Sequence, residues 1–162
     1  MILAFAHPCI VVPDLEKARA FYQEMFGFEL LSTEGWSNDA RADKATGLSN
    51  SACRGYMLAG HNCFLELFEY SSPEQLGALP QSLRPNEQGI RHLAFFVDDV
   101  TSETERFVNL GGELLGTPEG SAVYLRDPFG NIIELCEIPS PQENPKNLPG
   151  VTSLSDFCGK PE

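Results

Sequence analysis

The chain has 162 residues, 42% of them hydrophobic and 21% charged, with a net charge of −12. That length suits one folded domain with a real core, and the composition argues against wholesale disorder. The acidic balance leaves no basic footprint for nucleic acid or an anionic membrane, and no apolar run reaches the length of a membrane span. The apolar opening lacks a basic flank and a cleavage site, so a cytoplasmic protein is expected rather than a secreted one. The five cysteines form no CxxC pair and their odd number suggests no disulfide framework, so they read as reduced, buried thiols. Cys9 and Cys136 are the exceptions to watch, because each lies two residues beyond a candidate ligand on the same strand face.

In chain order, a strand-like FAHPCIVV leads through Pro13-Asp14 into a helical LEKARAFYQEMF that stops at Gly27. Asp at the start and Gly past the end are the expected caps, and Leu15, Ala18, Tyr22 and Met25 form an apolar helical stripe. Three strand-like runs follow: FELLS (28–32), CRGYMLA (53–59) and CFLELFEY (63–70). Between the first two lies an excursion, roughly Trp36 to Ala52, which reads either as a lid or as a surface loop. His61 falls in a turn between the last two.

Residues 71–89, rich in Pro, Ser, Gln and Gly, read as a linker or one short helix. The pattern then repeats. RHLAFFV leads through Asp98-Asp99 into a second helix ending at Gly111-Gly112, then ELLGT (113–117), AVYLR (122–126) and NIIELCEI (131–138), the last two joined by a DPFG turn. An offset of 85 places His7 on His92, Asp14 on Asp99, Leu15 on Val100, Tyr22 on Phe107 and Gly27 on Gly112. Each half is therefore strand, helix and three strands. The expected fold is α+β: two tandem βαβββ modules (4–70 and 90–138) in one domain over 1–138. Residues 139–162 form a tail with five of the twelve prolines.

The chemistry lies in the first and last strands of each half. Alternation puts His7 with Phe5, Cys9 and Val11, and Glu66 with Phe64, Phe68 and Tyr70. It puts His92 with Ala94 and Phe96, and Glu134 with Ile132 and Cys136. The opposite faces carry Leu65, Leu67, Leu93, Phe95, Val97, Ile133 and Leu135, suited to packing under helices. Carboxylates among Phe, Ile and Cys are costly unless neutralised. Arg54, Arg91 and Arg126 are available as ion-pair partners. The competing reading is a shared cation: two of only three histidines occupy matching positions, each followed by a glutamate in the matching strand. Two imidazoles and two carboxylates suit one divalent ion, Ni, Zn, Co, Mn or Fe, with open positions. Phe5, Phe64, Phe68 and Phe96 would line an apolar pocket.

Over residues 4–138 the chain resembles the vicinal-oxygen-chelate superfamily, the glyoxalase, bleomycin-resistance and extradiol-dioxygenase fold. The resemblance rests on His7 followed by VVPDLEKARAFYQEMFGFELL, on GIRHLAFFV with His92, and on DPFGNIIELCE with Glu134. It implies a curved mixed sheet around a metal held by His7, Glu66, His92 and Glu134, a small-molecule carbonyl or thioester substrate, and a homodimer. The implied activity is a lyase or isomerase that moves a proton beside a carbonyl, with Glu66 or Glu134 as base, as in lactoylglutathione lyases and methylmalonyl-CoA epimerases. The glyoxalase I pattern has Arg and Asn where this chain has Val11 and Tyr70, which argues against glutathione. An extradiol-type Fe(II) dioxygenase using His7, His92 and Glu134, and a non-enzymatic binding protein of the bleomycin-resistance kind, are the alternatives.

Overall fold

A computed structural model describes residues 1, 5–77, 83–118 and 120–138. The expected tail of 139–162 and the middle of the linker lie outside the described residues. The described chain falls into two compact units, one ending at Leu76 and one beginning at Gly77.

The first unit holds β1 (Cys9–Val11), α1 (Leu15–Phe26), β2 (Glu29–Ser37), α2 (Ala40–Thr46), β3 (Ala52–Ala59) and β4 (Phe64–Ser72). The second holds β5 (His92–Val97), α3 (Val100–Asn109), β6 (Glu113–Leu114), β7 (Ala122–Arg126) and β8 (Ile132–Glu137). Each builds a four-stranded mixed sheet, ordered β1-β4-β3-β2 and β5-β8-β7-β6. In both, the first strand pairs parallel to the last and the other pairings are antiparallel. The expected α+β duplication is therefore present as two sheets of identical strand order.

The two long helices begin alike because their sequences do. Asp14 and Asp99 sit in extended backbone, and their carboxylates accept from the N–H groups of Lys17 and Ser102. Each caps two or three residues into the first turn, where a helix has free donors. The helix faces then bury matched residues. Leu15 and Val100 are buried, and Tyr22 and Phe107, 85 positions apart, are both 0% exposed. Beneath them lie Leu65 and Leu67 of β4 and Ile133 and Leu135 of β8, also fully or nearly fully buried, as strand parity requires.

The helix ends break the repeat. Gly27 closes α1 in the left-handed conformation with φ 67°. Its mate Gly112 does not; that role passes to Gly111, with φ 97°. Gly112 is needed for another reason, since a Cβ there would stand 2.1 Å from the Phe107 ring.

The excursion of 36–52 is a built arm rather than an open loop. β2 and β3 stay paired out to Ser37 opposite Ala52, and between them α2 runs from an Asp39 cap to left-handed Gly47. Asp43 of α2 accepts from the backbone N–H groups of Asn50 and Ser51 and from the Ser51 hydroxyl. Ser51, 1% exposed, in turn accepts from the Trp36 indole at 2.7 Å. Trp36 packs edge-on against Phe68 and Tyr70. His61 is exposed in its turn, as expected.

Candidate metal centre

In the first unit, Cys9 of β1 lies opposite Glu66 of β4, and in the second, Ala94 of β5 lies opposite Glu134 of β8. Cys9 and Ala94 are themselves 85 apart, so the register repeats with the sequence. His7 and His92 each stand two residues earlier, on the same face, diagonal to their glutamate. β1 begins only at Cys9, two residues later than the sequence suggests for His7. Pro8 has no N–H to give a ladder, although its carbonyl still accepts from the Glu66 N–H at 3.0 Å.

This register brings each His to its Glu. His7 Nε2 lies 3.5 Å from Glu66 Oε2, and His92 Nε2 lies 3.1 Å from Glu134 Oε2. Two donors bound to one cation at about 2.1 Å, with angles between about 90° and 109°, stand about 3.0 to 3.4 Å apart. The donor chemistry fits neighbouring ligands of one ion; the His92–Glu134 spacing falls inside that range and the His7–Glu66 spacing just above it. The His7–Glu66 spacing is at the outer limit of a hydrogen bond. All four side chains are partly exposed, between 17% and 35%, so an ion could reach either pair. Among the described residues, no group of three or more His, Cys, Asp or Glu side chains is gathered for a metal. What the structure brings together is two pairs, one in each unit.

The arginines available as ion-pair partners go elsewhere. Arg54 pairs with Glu69 at 3.0 Å and Glu16 at 3.5 Å, and Arg91 pairs with Glu87 at 3.6 Å. Arg126, 5% exposed, donates to the carbonyls of Gly130 and Leu83. Among the described residues, none of these three arginines is paired with Glu66 or Glu134.

Thiols do border the glutamates. Cys9 hydrogen-bonds Glu66 and Cys136 hydrogen-bonds Glu134. Partial desolvation of the sulfurs, followed by the effects of those carboxylates, pushes the two thiols up to about 12 and about 11. Of the four described cysteines Cys53 is buried, Cys136 intermediate, and Cys9 and Cys63 exposed, so the reading of buried thiols holds for Cys53 alone; all four are free, and Cys158 lies outside the described residues.

Sequence reasoning missed Tyr124. It sits opposite Glu134 in the β7–β8 ladder, hydrogen-bonds that carboxylate, and sets its ring edge-to-face on His92 at 5.1 Å. Desolvation, then the charge of Glu134, raises its phenol. The signal was available: in AVYLR, parity puts Tyr124 on the face away from buried Val123 and Leu125.

The predicted phenylalanine lining is not uniform. Phe68 is buried, Phe64 half-buried, and Phe5 and Phe96 are 84% and 57% exposed. The first unit does have an open cavity of about 380 Å³, lined by Trp36, Ser37, Ala52, Cys53, Arg54, Glu69 and Ser71. It includes none of those four rings and neither member of the His7–Glu66 pair.

A family model described as the glyoxalase/bleomycin resistance protein/dioxygenase superfamily matches residues 4–135. A 2-epi-5-epi-valiolone epimerase from Actinomyces sp is 33% identical over 151 residues, covering 85% of this chain and 81% of that protein. A probable lactoylglutathione lyase from Synechocystis sp. is 27% identical over 145 residues, covering 85% and 97%. A fosfomycin resistance protein from Listeria monocytogenes, solved with Mn(II) and 1S,2S-dihydroxypropylphosphonic acid, is 26% identical with a TM-score of 0.57, covering 85% and 93%.

Proposed function

The chain belongs to the glyoxalase/bleomycin resistance protein/dioxygenase superfamily, and from that premise we propose that it is a divalent-metal-dependent lyase or isomerase moving a proton at a carbon next to a carbonyl. One observation carries the reading: each module has a His–Glu pair at or just above ligand spacing, at the same register, with the nearby arginines engaged elsewhere. The relatives named an epimerase and a lactoylglutathione lyase support proton transfer, and the Mn(II) in the fosfomycin resistance protein supports a hard or borderline divalent ion.

His7, Glu66, His92 and Glu134 would hold the ion. When bound, the ion supplies Lewis acidity to a substrate carbonyl oxygen and stabilises negative charge developing there. A glutamate carboxylate takes the proton from the adjacent carbon and returns it, as general base and then general acid. The C–H electron pair stays with the substrate, so no oxidant or reductant is needed. The thiols of Cys9 and Cys136 border those carboxylates.

An extradiol-type dioxygenase would use His7, His92 and Glu134 and leave Glu66 idle. That Glu66 faces His7 as Glu134 faces His92 favours the proton-transfer reading. Val11 and Tyr70 favour a substrate other than a glutathione adduct. The test is proton exchange in D2O with Mn(II)-loaded protein and three probes: a hemithioacetal of glutathione, methylmalonyl-CoA and 2-epi-5-epi-valiolone. Deuterium entering the carbon beside the carbonyl of at least one probe is expected. Exchange in none of them, with catechol ring cleavage under oxygen, would overturn the proposal.

A further inference from the structure

The two half-sites are not equivalent. Both glutamates face a histidine, and both have a thiol neighbour, so neither feature distinguishes them. The difference is the residue directly across the antiparallel ladder. Opposite Glu134 stands Tyr124; opposite Glu66 stands Met57. Residues so placed share a sheet face with Cβ atoms about 5 Å apart, close enough for a phenol to reach a carboxylate. Tyr124 does so, and its ring also bears on His92. Met57 offers a flexible thioether with no O–H or N–H to donate. The spacings agree with this: 3.1 Å in the pair that Tyr124 touches, 3.5 Å in the pair it does not.

We propose that Tyr124 is a positioning residue that fixes His92 and Glu134 as the rigid half of the site, leaving Glu66, opposite Met57, as the carboxylate that swings to the substrate. This rests on the proton-transfer reading above and selects between its two candidate bases. Groups that orient metal ligands from behind set their affinity as well as their direction. A carboxylate tied by a phenol, a thiol and an imidazole is poorly suited to leaving the metal in each turnover. Glu66 has no hydroxyl donor across its ladder, and Tyr70 on its own strand feels its charge without hydrogen-bonding it. In the step assigned to it, a substrate C–H bond breaks, a carboxyl O–H bond forms on Glu66, and return of that proton to carbon restores the carboxylate.

The experiment compares Tyr124→Phe, Tyr124→Met and Met57→Leu by Mn(II) titration, followed by calorimetry and electron paramagnetic resonance. Tyr124→Phe keeps the ring on His92 and removes only the hydroxyl. Tyr124→Met installs the residue that the first module uses at this register, so a folded variant is expected even if the phenylalanine fails. Each Tyr124 variant is expected to bind Mn(II) about 10–100-fold more weakly, with unfolding midpoints close to the parent and Met57→Leu unchanged. In the metal-free protein, NMR should show a Tyr124 hydroxyl proton in slow exchange that disappears in Glu134→Ala. Parent-like Mn(II) affinity in both Tyr124 variants overturns the inference while leaving the metal reading intact. If the parent binds no Mn(II) but shows the protected hydroxyl, the metal reading fails and the positioning of Glu134 stands. Absence of that proton overturns the positioning role itself.

Discussion

Glu69 accepts a 2.7 Å hydrogen bond from the backbone N–H of Leu15, the first residue of α1. Glu137 reaches the N–H of Val100, the first residue of α3, in the same way at 3.5 Å. Each glutamate lies three residues past a candidate metal ligand, in Glu66-Leu67-Phe68-Glu69 and Glu134-Leu135-Cys136-Glu137. Strand parity therefore sends one carboxylate to each face: one toward the histidine, the other to the positive end of a helix. Replacing Glu69 with Ala leaves a helix donor and Arg54 without this partner. It should lower stability by about 1–2 kcal/mol in urea unfolding, with Glu69→Gln intermediate because its carbonyl can still accept.

Gly112 and Gly116 offer a clean contrast. A Cβ on Gly112 would strike the buried Phe107 ring at 2.1 Å, while nothing lies within 4 Å of one on Gly116. Gly112→Ala should cost about 1–3 kcal/mol through overpacking; Gly116→Ala should leave the denaturation midpoint almost unchanged.

The inserted arm should be readable through Trp36, the chain's one tryptophan. Ser51→Ala removes the acceptor of its indole N–H and leaves Asp43 without that hydroxyl. Its emission should shift and its anisotropy fall, while Mn(II) affinity stays at the parent value.

Acid should loosen the helix starts and the arm before the sheets. Hydrogen bonds from Lys17, Ser51 and Ser102 hold the carboxyls of Asp14, Asp43 and Asp99 below the usual carboxylate range. For carboxyls lowered in the folded state, the stabilisation is complete above the unfolded value and is lost as pH falls through the folded one. Stability should therefore decline below about pH 4, and less steeply when all three are Asn, as followed by circular dichroism against pH.

The duplication was legible because it is written twice. Caps, apolar stripes and His/Glu positions recur at one offset, and two weak signals at matching places make a strong one. The helix α2 was not legible for the opposite reason. Its seven residues, ARADKAT, bury none of their side chains, so they carry no apolar period, and Asp39 and Gly47 alone do not announce a helix. The exchange of roles between Gly111 and Gly112 was hidden as well, since sequence alone cannot tell a glycine needed for φ from one needed for space. Tyr124 was within reach of strand parity, but its partner depends on the β7–β8 register, which the DPFG turn does not fix by itself.

The proposed chemistry requires two His–Glu pairs to serve one cation, and Mn(II) stoichiometry tests this most directly. Equilibrium binding should saturate at one ion per chain, and His7→Ala and His92→Ala should each abolish that single site. Two ions per chain, each lost with only one of the histidines, or saturation that survives either substitution, would contradict it.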